Sequence, residues 1–236
     1  MDLSRELETK GFAIVPDILA PGDLRIYQDA VDEALKNDSS RDRAPGLRNV
    51  FETVQVAREF AICPQLCQLI EPILGVKYFA VRALIFDKTA ETNWKVPFHQ
   101  DLTIAVENKN EMAGFAAWST KAGVLHVQPP VNILEKMLTV RLHFDDCDES
   151  NGALRVLAGS HLLGKLSAVK IQGLRQTQEE KICVVPAGGV LLMRPLLLHA
   201  SSLATTPRRR RVLHLELARE ELPCGLKWRW RVPEYS

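Results

Sequence analysis

Three stretches of the chain alternate between a wholly apolar face and a mixed one, a period of two that a strand satisfies and a helix does not. From Lys77 to Lys88, Phe79, Val81, Ala83 and Ile85 fall on one face and Arg82, Leu84, Phe86 and Lys88 on the other. From Met137 to Asp145, Leu138, Val140, Leu142 and Phe144 oppose Thr139, Arg141, His143 and Asp145. From Pro207 to Ala218, Leu213, Leu215 and Leu217 oppose Arg210, Val212, His214 and Glu216. Each strand therefore needs an apolar layer on one side. The other side, rich in His, Asp, Arg and Thr, is suited to line a cavity.

The apolar layer has an evident source in the first third of the chain. After a short strand at Gly11 to Pro16, Leu24, Tyr27, Val31, Ala34 and Leu35 recur at helical spacing, so a helix is expected to end near Asn37-Asp38. Arg41 to Gly46 reads as a polar loop. Val50 to Leu74 is again helical, interrupted by Pro64 and Pro72 and closed by Gly75. Strands dominate after that, with a surface excursion from Glu107 to Gly123, a turn at Pro129 to Lys136, and a lid or short helix from Lys165 to Glu180. Val190 to His199 reads as a strand, set off by the turn Pro186 to Gly189. Helices followed by many strands give a mainly β (α+β) class, a double-sheet jelly roll with helices against one outer face. No linker or repeat divides the chain. A single domain over 1–236 is expected, with a mainly helical segment over residues 1–75, a jelly-roll core over 76–218 and a C-terminal arm over 219–236.

Composition narrows the function. The 236 residues are 46% hydrophobic and 25% charged with a net charge of +1, which argues against nucleic acid or a membrane surface as the main partner. No apolar run reaches the roughly 20 residues that span a bilayer. The charged start Met1 to Glu8 lacks a signal peptide's apolar core, so a cytoplasmic location is expected. The five cysteines are scattered without paired zinc spacing and read as thiols rather than as disulfides or a metal site. Trp228 to Arg231 reads as a packing arm.

The stretch Val96 to Val106 holds His99-Gln100-Asp101. On a strand, residues two apart share a face, so both side chains can reach one point, as two ligands of a 2-His-1-carboxylate iron site do. His143-x-Asp145 and His214-x-Glu216 have the same spacing, so spacing alone does not choose among them. His199, at the end of its apolar strand, is the distal candidate. Arg210 follows eleven residues later, at the start of the final strand.

His99-Gln100-Asp101, Asn151-Gly152-Ala153-Leu154, Gly159-Ser160-His161, His199-x-Ser201 and Arg210 together resemble the phytanoyl-CoA dioxygenase family of Fe(II)- and 2-oxoglutarate-dependent oxygenases. The opening Gly11 to Pro16 and the helix after it fit too, so the resemblance covers nearly the whole chain. It implies that His99, Asp101 and His199 bind Fe(II). Arg210 would pair with the distal carboxylate of 2-oxoglutarate, helped by Ser201; Lys88, read from the inner face of its strand, is either a second cofactor contact or a strand-end lysine reaching solvent. The resemblance also implies that 2-oxoglutarate and O2 take the remaining iron positions, giving succinate and carbon dioxide while a substrate is oxidised. Two departures stand out: Ala158 replaces the usual proline before Gly159, and Arg141 sits where several relatives carry an aromatic.

The expected activity is hydroxylation of an aliphatic carbon of a small molecule. The inner faces carry Arg82, Lys88, Arg141 and Arg210, more positive charge than one 2-oxoglutarate requires. Either the substrate is anionic and met by Arg141 or Arg82, or Asp145 or Glu216 pairs with these arginines internally. Two other functions fit the same fold: a ligand-binding module without turnover, and a cupin-like metalloenzyme that does not use 2-oxoglutarate. His161 is read as a turn-stabilising side chain. His126 has no assigned role.

Overall fold

The computed structural model describes residues 2–38, 46–206 and 208–233. The expected loop at Arg41 to Pro45 and the expected strand start at Pro207 lie outside them.

Helix α1 (Leu3–Thr9) leads into strand β1 (Phe12–Val15) and helix α2 (Pro21–Asn37), the latter begun by a proline whose missing N–H costs nothing in a first turn. After β2 (Gly46–Leu47) come α3 (Val50–Thr53), α4 (Gln55–Ala61) and α5 (Pro64–Leu74). The expected interruption at Pro64 is the start of α5 and Gly75 closes it as expected, but Pro72 lies inside the helix without interrupting it. Only two residues follow Pro72, and the next turn closes with the Gly75 N–H on the Glu71 carbonyl, so little is lost.

The strands are β3 (Phe79–Lys88), β4 (Val96–His99), β5 (Ile104–Val106), β6 (Ala116–Lys121), β7 (Val124–Gln128), β8 (Leu138–His143), β9 (Leu154–Leu157), β10 (Glu180–Cys183), β11 (Val190–Met193), β12 (His199–Ser201) and β13 (Arg210–Ala218). They form a six-stranded sheet in the order β1-β11-β8-β13-β3-β2, a four-stranded sheet β10-β9-β12-β4, and a three-stranded sheet β5-β7-β6. The first two sheets are the two halves of the jelly roll, and every pairing is antiparallel.

Three expectations are corrected here. The excursion at Glu107 to Gly123 contains β6, which pairs with β7 across the turn Ala122-Gly123 as a hairpin. The turn before β8 holds a short helix, α6 (Val131–Glu135), whereas α7 (Ala168–Thr177) is the short helix expected within Lys165 to Glu180. Val190 to His199 is two strands, not one: β11 belongs to the large sheet and β12 to the small one. The break falls at Arg194-Pro195, where proline has no N–H to give a ladder and the Leu197 N–H turns back onto the Arg194 carbonyl.

The apolar faces read from the alternation are buried, with one correction in β3. A register shift between Glu216 and Leu217, opposite Arg82 and Ala80, breaks the expected face, so that Ala80 joins Ala83 and Ile85 on the helix side while Phe79 and Val81 pack in a second cluster with Ile104, Val127 and Trp228. Ala83, Ile85, Leu138, Val140, Leu142, Leu213, Leu215 and Leu217 join Val31, Leu35, Phe60, Leu66 and Ile70 of the helices in one core cluster. The arginine run at the start of β13 ties the same layers together. Arg211 grips Asp145 with two hydrogen bonds of 2.7 and 2.9 Å and reaches Asp32 of α2, while Arg209 pairs with Asp87 and Asp32. These arginines are bound into the fold rather than solvated. The C-terminal arm lies against the strands, with Trp228 and Trp230 both buried and Val232 bridged to Ala80.

Leu215 is fully buried between the large sheet and the helices. Leu215→Ala is expected to cost about 2–5 kcal/mol of stability, measured by urea unfolding of wild type and variant.

Candidate metal centre and anion anchor

His99 ends β4 and His199 begins β12, and the two are direct cross-strand partners. Their ring centroids stand 4.2 Å apart. The Nδ1–H of His99 donates to the Pro97 carbonyl at 2.9 Å, and that of His199 to the Leu197 carbonyl at 2.9 Å. A carbonyl can only accept, so this contact fixes the tautomer and leaves each Nε2 lone pair free. Both Nε2 atoms face Asp101, at 3.8 Å from Oδ1 for His99 and 3.7 Å from Oδ2 for His199. Ligand atoms of the three residues all lie within 4.8 Å of one another, and among the described residues no other His, Cys, Asp or Glu cluster does this.

Asp101 is not on the strand with His99, as the spacing predicts, but in the link between β4 and β5. Backbone contacts hold it there. The Asp101 N–H donates to the Pro195 carbonyl at 2.9 Å. Buried Gln100 donates to the carbonyls of Gly164 and Leu196 and accepts from the Leu166 N–H.

The protonation states suit a metal. Burial pushes the Asp101 carboxyl up, but His199, His214, His99 and Arg82 together outweigh it and hold the group down at about 2. Burial pushes His199 down to about 4 against the pull of Asp101. At neutral pH the set is thus a carboxylate with neutral imidazole at His199, whose contacts with Asp101 are ligand appositions rather than ion pairs. Asp101 Oδ2 is buried without a hydrogen-bond partner, an atom left for a cation to satisfy. Two imidazoles and one carboxylate, with open space beside them, are the donor set of an Fe(II) site.

Next to this triad is an anchor for an anion. Arg210 pairs in register with Lys88 across β13 and β3. Its side chain is buried, and Nε and Nη1 have no hydrogen-bond partner. Lys88 is fully buried, not a strand-end lysine reaching solvent; its Nζ donates to the Ser202 carbonyl at 2.7 Å and Ser201 Oγ at 3.3 Å, and lies 5.2 Å from the Trp94 ring centre. Burial and the nearby Arg210 push Lys88 down to about 8. Gly152 makes this approach possible, since a Cβ there would lie 2.9 Å from Lys88 Nζ.

Arg82 and Arg141 line the same cavity of about 310 Å3 as the triad and Arg210. Arg82 Nη1 donates to Glu216 at 2.9 Å, so internal pairing accounts for its charge. Asp145 is taken by Arg211, not Arg141. Arg141 instead donates to His214 Nδ1 at 2.9 Å, leaves its own Nε unpartnered, and sits over the Phe86 ring. That contact makes Nδ1 of His214 an acceptor and turns its Nε2–H toward Glu216, 3.6 Å away. Neither competing pair gathers a ligand set among the described residues: Asp145, the partner of His143 in spacing, is taken by Arg211, and His214 and Glu216 are committed to Arg141 and Arg82. His161 Nε2–H donates to the Glu8 carbonyl, and the ring fills the space a Gly11 side chain would need, the turn role expected of it. Arg48, Thr103 and Lys121 also line the cavity and were not legible as site residues. They come from the segment after β2, the β4–β5 link and the β6 hairpin, where the sequence carries no motif.

The family model for phytanoyl-CoA dioxygenase (PhyH) matches residues 7–212. The chain belongs to the phytanoyl-CoA dioxygenase family. It is an enzyme of that family, and its His99, Asp101 and His199 form a group that can hold a metal ion. No curated protein matches the chain. Among solved structures, it is similar to the non-heme alpha-ketoglutarate-dependent carbocyclase SnoK from nogalamycin biosynthesis, at 14% identity and a TM-score of 0.70 over 92% of this chain and 82% of that one. It is similar to the epimerase SnoN in complex with Fe3+, alpha-ketoglutarate and nogalamycin RO, at 15% identity and 0.69 over 92% and 82%. It is also similar to EctD from S. alaskensis with 2-oxoglutarate and 5-hydroxyectoine, at 16% and 0.69 over 91% and 74%. At these identities the likeness establishes the fold. Among the described residues, no helix of this phytanoyl-CoA dioxygenase family member is long and apolar enough to cross a membrane.

His126 gives a pH-dependent expectation. It is buried beside the cavity, donates from Nδ1 to the Val124 carbonyl, and is pushed down to about 4, chiefly by burial. An unfolded histidine titrates near 6.5, so the unfolded state takes up the proton first as pH falls, and stability is lost from about 6.5 down to about 4. Replacing the ring by His126→Phe is expected to make that loss shallower, as read from denaturant unfolding at a series of pH values.

Proposed function

We propose that this protein is a hydroxylase that inserts oxygen into an aliphatic C–H bond of a small molecule, with His99, Asp101 and His199 holding Fe(II). The observation that carries this reading is the convergence of three facial ligands on one point beside the buried, half-unpartnered guanidinium of Arg210. A binding module without turnover has no need of both. A cupin-like metalloenzyme that does not use an oxoacid has no need of Arg210.

Each residue has a definite task. His99 and His199 present Nε2 because their Nδ1–H groups are already bound to backbone carbonyls. Asp101 supplies the negative charge that partly neutralises the metal. Arg210 offers two parallel N–H donors to the distal carboxylate of 2-oxoglutarate, a match of planar fork to carboxylate. Lys88 and Ser201, linked to each other beside Arg210, add charge and a hydroxyl to that anchor. When bound, iron with 2-oxoglutarate and O2 supplies the oxidising power and yields succinate and carbon dioxide. Leu84, Phe86, Val96 and Leu154 give the cavity apolar wall against which an aliphatic chain can pack, excluding water from the reacting carbon.

With Fe(II) and ascorbate, the protein is expected to convert 2-oxoglutarate to succinate. Asp101→Ala and His199→Ala are expected to abolish this, whereas failure of the wild type to form succinate across a broad small-molecule screen would falsify the reading. Arg210→Ala is expected to raise the KM for 2-oxoglutarate on the order of 100-fold with a smaller effect on kcat, because truncation removes a buried charge-assisted contact.

A further inference from the structure

Two groups of cations line the cavity, and they lie at opposite ends. Arg210 and Lys88 pair at one end of β13 and β3, whereas Glu216 pairs with Arg82 six residues further on, roughly 20 Å along the strand. The first group is the anchor assigned above to 2-oxoglutarate. Arg48 and Lys121 belong to the second. They reach the cavity from the end of β2 and from the end of the β6 hairpin strand, at the rim of the two jelly-roll sheets.

Among the described residues, neither member of this second pair is in salt-bridge contact with a carboxylate. Glu216 is held by Arg82 at 2.9 Å, and among the described residues neither Arg48 nor Lys121 forms an ion pair. Lys121 Nζ donates instead to Thr103 Oγ1 at 3.0 Å, a neutral acceptor two residues from Asp101. Partial burial, and then the nearby Arg82, push both groups below their usual values, and Arg48 pushes Lys121 down further against a weaker upward pull from Glu216 and Asp101. Arg48 is exposed and Lys121 half-buried where they line the cavity, so the site is open to a ligand from solvent, and an anion that meets both relieves the repulsion between these like charges. A fork and a point charge facing one space are suited to two oxygens of one oxyanion.

We propose that the primary substrate carries a terminal oxyanion, a carboxylate or a phosphate ester, bound by Arg48 and Lys121 at the end of the cavity opposite Arg210. This deepens the hydroxylase reading and rests on it: the anion docks at one end, 2-oxoglutarate at the other, and the aliphatic carbon lies between them at the metal triad. Arg82, fixed by Glu216, forms a positive wall behind the docking point rather than a direct ligand.

The test uses the full chain loaded with Mn(II) and 2-oxoglutarate, which keeps the site assembled without turnover. Small aliphatic carboxylates, the matching phosphate esters, and amides and alcohols of the same skeletons are titrated by calorimetry and thermal shift. Binding is expected in one of the two acid arms and not in the neutral arm. Arg48→Gln and Lys121→Gln are each expected to weaken it about tenfold or more, with Lys121→Arg restoring it. Uptake of Mn(II) and 2-oxoglutarate by each variant verifies that it is folded. Neutral compounds binding as tightly as acids, acids binding the glutamine variants as tightly as wild type, or no binding in either acid arm overturns the proposal. Succinate formation by the Fe(II) enzyme without acid binding overturns the substrate assignment alone. Acid binding without succinate formation overturns the hydroxylase reading and this assignment with it.

Discussion

The site depends on one junction, where the link after β4 meets the crossover between β11 and β12. The Asp101 N–H on the Pro195 carbonyl, and the Gln100 side chain on the Leu196 and Gly164 carbonyls, join segments far apart in the chain. His99 and His199 then fall opposite one another in register, each with its Nδ1 spoken for. The ligand geometry is imposed by backbone hydrogen bonds, which are strong and obligatory when buried.

The cavity is an electrostatic object as much as a shape. Buried cations are costly unless something meets them, and each here has a different answer. Arg82 has Glu216, Arg141 has the acceptor nitrogen of His214 and the face of Phe86, and Lys88 has a carbonyl and a hydroxyl. Arg210 keeps two N–H groups open. The outward arginines on either side of it, Arg209 and Arg211, bind Asp87, Asp145 and Asp32. One short basic run thus docks a helix on the sheet and leaves a single guanidinium facing in, because successive residues of a strand point to opposite sides.

Much of this was legible in the sequence. The alternation in what became β8, β13 and the second half of β3 assigned both faces, because one face had to meet the helices and so had to be apolar. At the start of β3 a bulge sends Phe79 and Val81 to a different cluster, which a strict period of two cannot record. The triad and Arg210 were legible through motif order rather than spacing, since two other His-x-acid pairs share the period. Less legible was anything set by breaks in regular structure. Val190 to His199 is apolar without interruption except for Arg194-Pro195, and periodicity cannot tell one buried strand from two in different sheets. Asp101 looked like a strand residue, yet it is held by contacts to distant carbonyls that no local pattern records. Arg48, Thr103 and Lys121 come from short or irregular elements, and only the folded arrangement of the β6 hairpin brings them to the cavity.

The crossover at Pro195 has a consequence for assembly. His199 can face His99 only after the chain has left the large sheet and entered the small one, so the unfolded or half-formed chain offers a cation just a two-residue chelate. The complete three-ligand set exists only when both sheets have docked. Since a ligand that binds one state stabilises that state, a bound iron would act as a clasp on the completed jelly roll, and loss of the metal would loosen the seam between β4 and β12 where the two histidines meet.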